Sequence, residues 1–507
     1  MKKLGVDSRK KSIFQGGALL TQINASFLDE ESKERIHQAS LQVLGKTGIL
    51  LGRSDGRAFD LLMDAGATLD KDGRVLIPPR LVESALDTAH KGFQLYTREG
   101  EPSLEVKNGN TYFGPGSDSL YNYNKETGRL FPTDDADMPR SSNLQDIREN
   151  VRIADALGYD FIMSMSLPHD VEPKKLYPTV FAEVIKNTRR PVVFTSTRTE
   201  EIQAIYDLAS IVSNDPEGRP FYIAYLEPIS PLRFDRTITK RIIYCSDRNI
   251  PIAFAPGANC GGGAPITPEA GVVQGNAESL AGLVIATLNN PDTRFIYGAN
   301  TSAMDMNTMI VCYGAPEWFK TTAMYAEMGR YYSLPSWGTA GCTDARVINA
   351  QAGLEAYEGI ITAILSGSTM VHDVGFLGHG EVYHPGLLVL AKTMIERARH
   401  LFEKPDLSDG RLALDVIDNV ARHPGYLYLA HEHSSEYFRE SLWLAPRFFE
   451  KGLMEDWDPN KFQTQLLDEA NRLLAACTPD MPVRSRMDDV DRYLKEMWIA
   501  YEEEGIA

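Results

Sequence analysis

Eight short runs of apolar and β-branched residues recur along the middle of this chain, and their spacing constrains the fold more than any other feature. Most of them end at a turn-forming or polar residue; they cover residues 111–113, 161–163, 192–194, 222–224, 252–254, 295–297, 336–337 and 370–371. Amphipathic segments of helical length separate them, such as 146–157, 199–212, 267–288 and 345–365. Eight strands alternating with helices over roughly 270 residues are what a (β/α)8 TIM barrel requires.

The regions on either side of these runs lack strand-like patterns. Residues before about position 105 place apolar side chains at helical spacing, and no further strand-like run follows residue 385. We therefore predict an N-terminal helical module (1–107), the barrel (108–385) and a C-terminal helical module packed on the barrel (386–507). A doubly wound open sheet is the alternative, but no GxGxxG motif follows the first run, which favours the barrel.

The composition excludes several classes of function. A net charge of −17 opposes nonspecific nucleic-acid binding, because contact with phosphates requires a basic surface, and it is compatible with a cationic ligand. No stretch of about eighteen apolar residues occurs, and the basic start has no apolar run, so we expect no membrane span and no targeting segment. The five cysteines form no CxxC pair, which is typical of free thiols in a reducing cytoplasm. We expect a cytoplasmic protein.

The residues that follow the eight runs suggest what the barrel binds. In a barrel, the carboxyl ends of the strands meet at one mouth. Here those positions are acidic, aromatic or histidine, among them Asp118, Glu227, His372, Asp373 and His379. A quaternary ammonium group has no hydrogen to donate, and aromatic faces together with negative charge hold it. The pattern favours a cation site, although any single acid of this kind is more often a helix cap or a partner of backbone amides.

Two other chemistries fit part of this pattern. His372, His379 and His384 lie close in sequence beside Asp373, but their spacing matches no compact zinc motif such as HExxH, and we predict no metal site. Nucleophilic catalysis by Cys342 requires a partner histidine that the sequence does not assure.

Motifs spread over nearly the whole chain resemble one known family. The longest are GTAGCTDAR (338–346), QAGLEAYEG (351–359) and SGSTMVHDVGFLGHG (366–380); the others are FGPGSD (113–118), EPISPL (227–232), YGAN (297–300), GAPEW (314–318) and HPGYL (423–427). Together they resemble the trimethylamine methyltransferase family. The resemblance implies the same (β/α)8 barrel.

The resemblance also implies a reaction. The family transfers a methyl group from a methylated amine to cob(I)alamin carried by a separate corrinoid protein, so that no cofactor is bound permanently. The archetype carries pyrrolysine at the strand matched here to residues 336–338, where this chain has Trp337. Members without pyrrolysine resemble demethylases of quaternary amines such as glycine betaine, proline betaine or carnitine. The chain therefore resembles the non-pyrrolysine branch.

The chemistry of a quaternary amine agrees with the residues at the strand ends. Its leaving group is a neutral tertiary amine that needs no proton, so the absence of an evident acid–base pair is expected. The enzyme must hold the cation, align one methyl group with the cobalt and exclude water.

These inferences give a predicted site. The predicted catalytic residues are Trp337, His372 and Asp373, and the predicted substrate-binding residues are Tyr112, Asp118, Tyr121, Glu227, Tyr297, Asn300, Tyr313, Arg346, Phe376 and His379. A betaine carboxylate has Arg346, His372 and His379 as candidate donors. The alternatives are a non-catalytic barrel that binds quaternary amines, and a metal-dependent hydrolase that uses His372, Asp373 and His379. The amine, the docking face for the corrinoid protein and a homo-oligomeric state are left open.

Overall fold

Parallel strands form a barrel at the centre of the computed structural model, which describes residues 26–52, 56–123, 140–451, 461–477 and 484–503. The seven regular strands are β1 (Tyr112–Pro115), β3 (Val192–Phe194), β4 (Tyr222–Leu226), β5 (Ile252–Phe254), β6 (Phe295–Gly298), β7 (Ser336–Thr339) and β8 (Met370–Val374). They pair in parallel in the order β1-β8-β7-β6-β5-β4-β3.

The extended segment 161–163, called β2 here, closes the barrel between β1 and β3. Ile162 forms a parallel bridge with Val192 and donates its N–H to the carbonyl of Pro191 at 2.9 Å. On the other side, the N–H of Asp160 donates to the carbonyl of Phe113, and the Asp160 carboxylate accepts from the N–H of Phe113, both at 2.9 Å. The predicted barrel is confirmed, and each of the eight predicted runs overlaps one of these segments.

One helix follows each strand, and the eight helices surround the barrel. They are Leu144–Leu157, Leu176–Asn187, Thr199–Val212, Arg236–Asp247, Pro268–Asn289, Pro316–Tyr331, Ala350–Ser366 and Pro385–Leu401. Neighbouring helices pack in pairs, and the last packs against the first. The helix Pro385–Leu401 thus completes the ring, while the predicted limits between the three parts of the chain stay a prediction.

Alternation along the strands decides which side chains enter the barrel. Ile223, Ile296 and Met370 belong to an apolar cluster inside it, whereas their neighbours Tyr222 and Tyr297 belong to the larger core shared with the helices. Because parallel strands are buried on both faces, both sets are apolar and the sequence shows continuous runs rather than alternation. The direction of each side chain therefore follows from register, which the runs alone do not reveal.

A β-hairpin closes the amino-terminal end of the barrel. Its strands are Gly92–Tyr96 and Pro102–Lys107, and Leu95, Leu104 and Val106 pack among the residues of the barrel interior. The N–H of Tyr96 donates to the carbonyl of Pro220, just before β4, at 3.0 Å. The sequence interpretation predicted a mostly helical N-terminal region and did not identify this hairpin. Because the hairpin fills this end, the interior opens at the carboxyl ends of the strands.

The remaining elements pack around the ring. The helices Glu30–Gln42, Arg57–Asp64 and Pro79–Thr88 pack on Pro268–Asn289, and the helices Lys461–Ala476 and Arg484–Glu503 pack on the ring from the other end of the sequence. A small sheet of Tyr121–Asn122, Arg140–Ser141, Phe376–Leu377 and Val382–Tyr383 lies beside the barrel mouth. Within the described ranges, no helix is long and apolar enough to cross a membrane.

The hairpin gives a prediction about stability. Leu95→Ala removes a fully buried side chain from the barrel interior and should lower the free energy of unfolding by about 2–5 kcal/mol, measured by urea denaturation. Leu354→Ala is the matched control, since Leu354 is 67% exposed and its loss should change the free energy by less than about 0.5 kcal/mol. Equal effects for both variants would show that the hairpin does not complete the core.

Candidate active site

A cavity of about 800 Å³ lies at the carboxyl ends of the strands, at the end opposite the hairpin. Its polar and aromatic lining consists of Ser117, Asp118, Thr195, Tyr225, Glu227, Asn259, Asn300, Tyr313, Trp318, Arg346, His372, Asp373, Phe376, His379 and Glu381. Nine of the thirteen predicted site residues are in this list. The structure therefore brings most of the predicted site together, and the role of each residue stays a prediction.

Three carboxyl groups from different strands face the cavity. Asp118 follows β1, Glu227 follows β4, and Asp373 lies in β8. Asp118 and Asp373 both have left-handed backbone conformations, with φ of 63° and 67°. Such conformations are costly for residues other than glycine and concentrate at functional sites. The left-handed backbone conformation therefore sets the direction of these two carboxyl groups at a cost in conformational energy.

Two glycines make room for the carboxyl groups. A Cβ atom at Gly116 would lie 2.4 Å from Oδ1 of Asp373, and one at Gly257 would lie 2.3 Å from Oε1 of Glu227. Both distances are far below a van der Waals contact. These positions therefore require glycine as long as the carboxyl groups keep their places.

Burial raises the pKa of all three groups. It raises the pKa of Asp118 to about 6, with Asp373 adding repulsion and hydrogen bonds from Thr195 and Ser117 opposing the shift. It raises the pKa of Glu227 to about 7, with Glu278 and Asp373 adding to the effect. The pKa of Asp373 is also raised by burial, against the attraction of His372. A cation in the cavity would favour the charged forms and lower these pKa values.

A shift in the β8 ladder lets His372 and Asp373 face the cavity together. Consecutive residues of a strand normally point to opposite faces, but the pairing of β8 with β1 changes register between Val371 and Val374. Nδ1 of His372 donates to the carbonyl of Gly338 at 2.9 Å, which leaves Nε2 at 3.4 Å from Oδ2 of Asp373. The imidazole is therefore held in one orientation beside the carboxyl group.

Aromatic rings form much of the remaining wall. Tyr313 and Trp318 stack with ring centres 4.7 Å apart, and the hydroxyl of Tyr225 accepts a hydrogen bond from Asn300 Nδ2 at 2.8 Å. Burial raises the pKa of Tyr225 and Tyr313 well above the ordinary phenol value, so both phenols stay neutral. The ring of Phe376 also lines the cavity.

Two carboxylates, one half-buried and one buried, position the loops of the wall. Oδ1 and Oδ2 of Asp344 accept the backbone N–H groups of Tyr313 and Gly314 at 2.7 and 2.9 Å. Glu278 is fully buried and accepts from Oγ of Ser230 and the N–H of Leu232, both at 2.7 Å, in the loop that follows Glu227. These contacts fix the loops that carry Tyr313 and Glu227.

Four predicted site residues lie outside the cavity lining. The hydroxyl of Tyr112 donates to the carbonyl of Glu105 in the hairpin at 3.2 Å, at the closed end of the barrel. The hydroxyl of Tyr297 donates to Oδ1 of Asn276 at 2.7 Å, because Tyr297 points outward to the helices. Tyr121 pairs within the small sheet. These three tyrosines therefore lie outside the cavity lining, and their contact with the substrate stays a prediction.

The fourth residue, Trp337, lies one layer beneath the cavity. Its side chain is buried in the barrel interior, with ring centres 4.7 Å from His372, 5.7 Å from Tyr225 and 5.9 Å from Phe161. Trp337 therefore supports two residues of the wall instead of lining the cavity itself.

The sequence interpretation missed Tyr225 among the site residues. Tyr225 shares the inward face of β4 with Ile223, and this alternation continues to Glu227 just beyond the strand. The period-two spacing of Ile223, Tyr225 and Glu227 is the signal that identifies it.

Two of the alternatives weighed from sequence find no support in the geometry. Burial raises the pKa of Cys342 well above the ordinary thiol value, which favours the unreactive thiol. Within the part of the chain that the structure describes, no group of three His, Cys, Asp or Glu side chains is arranged to hold a metal ion.

Comparisons with known proteins agree with the sequence motifs. The model of the trimethylamine methyltransferase family matches residues 9–496. The trimethylamine methyltransferase MttB of Desulfitobacterium hafniense is 25% identical over 468 residues, 90% of each chain. The glycine betaine methyltransferase of another strain of that species is 23% identical over 455 residues, 89% of this chain and 91% of the relative. The solved monomethylamine methyltransferase of Methanosarcina barkeri aligns with a TM-score of 0.48 and 14% identity, over 92% of this chain and 88% of that one.

The raised pKa of Glu227 predicts a pH dependence of stability. A carboxyl group whose folded pKa lies above its unfolded value stabilises the protein at low pH, and this stabilisation is lost as the pH rises through the folded value of about 7. We expect the melting temperature of the wild type to fall between roughly pH 5 and pH 8 more steeply than that of Glu227→Gln.

Glu381→Gln is the control for this experiment. Its carboxylate also lines the cavity but is exposed at the rim, so this variant should keep the slope of the wild type. Parallel curves for Glu227→Gln and the wild type would contradict the raised pKa.

Proposed function

We propose that this chain, which belongs to the trimethylamine methyltransferase family, removes a methyl group from a quaternary amine and passes it to the Co(I) of a separate corrinoid protein. Membership of this family makes the chain a methyltransferase. The two alternative functions, a metal-dependent hydrolase and a non-catalytic binding protein, are therefore not pursued. The quaternary amine, the corrinoid partner and a cytoplasmic location are parts of the proposal.

The charge of the cavity is the observation that carries the proposal. Asp118, Glu227 and Asp373 face it together with the rings of Tyr225, Tyr313 and Phe376. Among the described lining residues, Arg346 is the single Lys or Arg. Carboxylates and aromatic faces stabilise a quaternary ammonium group without requiring it to donate a hydrogen bond. The geometry therefore supports a cationic substrate.

The chemistry of the reaction explains why the site offers anions rather than a proton donor. The carbon–nitrogen bond breaks with its electron pair moving to nitrogen, and the Co(I) of the corrinoid supplies two electrons to the new methyl–cobalt bond. The departing tertiary amine is neutral and needs no proton. Because its positive charge has disappeared, the attraction to Asp118, Glu227 and Asp373 is lost, which favours release of the product.

The residues of the wall serve to hold and aim the cation. We assign Asp373 to contact the ammonium group and His372 to orient Asp373, since the His372 ring is itself fixed by Gly338 and supported by Trp337. Arg346 and His379 lie in the cavity lining, where each is able to donate to a substrate carboxylate. These two donors support betaines among the quaternary amines.

The rim of the cavity supports the assignment of a protein partner. Loops after β4, β5 and β6 expose Ile229, Ile266, Met306, Met309 and Ile310, and Ile310 also lines the cavity. The methyl acceptor must approach from this side, because the hairpin blocks the other end. Flexible apolar side chains such as Met suit a surface that binds and releases a partner at each turnover. We therefore place the corrinoid protein at this rim.

Asp118→Asn tests the cation site. With a corrinoid protein held as Co(I), the appearance of methyl-Co(III) absorbance reports transfer from glycine betaine, proline betaine, carnitine, choline or trimethylamine. For the active quaternary amine we expect about a tenfold rise in KM, equivalent to ~1.4 kcal/mol of lost attraction, with a smaller change in kcat. Asp292→Asn, an exposed carboxylate just before β6 at the closed end, is the matched control.

Transfer from trimethylamine alone would reject a quaternary substrate while leaving the family activity intact. Transfer from none of the five amines would reject the proposal. An unchanged KM in Asp118→Asn would remove this carboxyl group from the cation site.

Met309→Glu tests the docking rim. A charge on the rim should raise the KM for the corrinoid protein at least several-fold, while the binding of the amine, measured by calorimetry, stays unchanged. Ile499→Glu is the control, since Ile499 is an exposed apolar residue on the helix Arg484–Glu503, away from the mouth. Equal KM values for the two variants would place the corrinoid protein elsewhere.

A further inference from the structure

Four polar side chains from different strands, called the polar network here, form one series of hydrogen bonds between His372 and Tyr225. Nδ1 of His372 lies 3.3 Å from Oγ1 of Thr339, which donates to Oδ1 of Asn300, also at 3.3 Å. Nδ2 of Asn300 then donates to the hydroxyl oxygen of Tyr225 at 2.8 Å. The polar network therefore connects β8, β7, the loop after β6 and β4.

Thr339 is the member of the polar network that does not line the cavity. It is the last residue of β7, pairs directly with His372 in the ladder between β7 and β8, and is 1% exposed. A buried hydroxyl group needs hydrogen-bond partners, and Thr339 finds them in His372 and Asn300, which both line the cavity. Thr339 therefore acts on the site only through these two residues.

The carbonyl of Gly338 sets the direction of every hydrogen bond in the polar network. A carbonyl oxygen only accepts, so Nδ1 of His372, 2.9 Å away, must carry a proton. A protonated Nδ1 has no lone pair for Thr339, so the Thr339 hydroxyl donates its proton to Oδ1 of Asn300. This places the donating Nδ2 of Asn300 on the Tyr225 oxygen. The opposite orientation of the Asn300 amide would leave the Thr339 proton without an acceptor in the network.

The polar network ends on the hydroxyl proton of Tyr225. The phenol oxygen accepts from Asn300, and among the described residues no group accepts the phenol proton. Glu227 and Asp373 do not take it, although burial and then the charges of these two carboxyl groups raise the pKa of the phenol. Because Tyr225 lines the cavity, its proton is available to a molecule that fills the cavity.

A donor that is held in this way distinguishes between ligands. A ligand that displaces water and brings an acceptor oxygen satisfies the Tyr225 hydroxyl, whereas a ligand without such an oxygen leaves the hydroxyl unpaired. Sites that hydrogen-bond a ligand reject analogues lacking the matching group much more strongly than apolar pockets reject a missing methylene. A carboxylate accepts about four hydrogen bonds, so this donor adds to Arg346 and His379 of the cavity lining.

We propose that Tyr225 is a specificity-determining residue that donates its hydroxyl proton to an oxygen atom of the substrate, and that Thr339 and Asn300 are positioning residues. The inference rests on the proposed function and narrows the substrate to quaternary amines that carry an acceptor oxygen. The rings of Tyr225 and His372 have centres 5.8 Å apart, so this oxygen lies close to the ammonium group assigned to Asp373. A betaine carboxylate and the hydroxyl group of choline both provide such an oxygen.

Calorimetry with the full chain tests the inference without a corrinoid protein. The ligands are glycine betaine, proline betaine, carnitine and choline, together with tetramethylammonium, which has no oxygen. The measured quantity, called the oxygen ratio here, is the Kd of tetramethylammonium divided by that of the tightest oxygen-bearing amine. Tyr225→Phe should lower the oxygen ratio about tenfold and change the affinity for tetramethylammonium less than about twofold. Tyr222→Phe, which changes an outward-facing residue of β4, is the matched control and should keep the ratio.

Three further variants test the positioning residues. Asn300→Asp keeps the shape of the side chain but cannot donate, so the Tyr225 proton turns to it and the oxygen ratio should fall as far as in Tyr225→Phe. Thr339→Val should lower the ratio only about two- to fivefold, because contacts of 3.3 Å are long for a hydroxyl group. Thr339→Ser keeps the hydroxyl and should restore the ratio. Thr287→Val, which removes a buried hydroxyl from the helix Pro268–Asn289, is the control.

Three results would overturn the inference. The first is an oxygen ratio that keeps its wild-type value in both Tyr225→Phe and Asn300→Asp. The second is an equal loss of affinity for tetramethylammonium and for the oxygen-bearing amine, which would show that these residues only maintain the cavity. The third is a wild type that binds none of the five amines. The proposed function fails by a separate result, the absence of methyl transfer to corrinoid Co(I) while amine binding persists.

Discussion

Asp373 repels both Asp118 and Glu227, and the protein keeps the three carboxyl groups around one cavity because closure of the barrel fixes the ends of three separate strands. The parallel ladder from β1 through β8 to β3, completed by β2, leaves these strand ends no freedom to move apart. The glycines at 116 and 257 provide the space, and the left-handed backbone at Asp118 and Asp373 provides the direction. The energy of barrel packing thus offsets an arrangement that is unfavourable in itself.

The electrostatics of the cavity follow from this arrangement. Burial raises the pKa values of the three carboxyl groups, and repulsion from Asp373 adds to the shifts of Asp118 and Glu227. A cation in the cavity would lower these pKa values. Neutral phenols from Tyr225 and Tyr313 fill the space between them and add aromatic faces without adding charge. Under the proposed function, these groups attract the positive charge of a quaternary amine, and the attraction ends once demethylation has removed that charge.

Several residues that do not line the cavity hold its wall in place. The hairpin closes the far end, and Trp337 packs against the rings of His372 and Tyr225. The carboxylates of Glu278 and Asp344 anchor the loops. These residues affect the site indirectly, through the side chains and loops that they contact. A chain built in this way leaves the cavity open at the carboxyl ends of the strands.

The sequence by itself determined the architecture, because eight apolar runs separated by amphipathic helices have few other ways to bury their surface. It also identified most of the cavity, since the strand ends of a parallel barrel meet wherever the strands are. Side-chain direction was decided by tertiary structure: Tyr297 points outward and Trp337 lies beneath the cavity, because a fully buried strand shows no polar alternation in its sequence. The register shift in β8, which brings the neighbouring residues His372 and Asp373 to one face, exists only through pairing with β1. No local pattern encodes a pairing with a strand more than two hundred residues earlier.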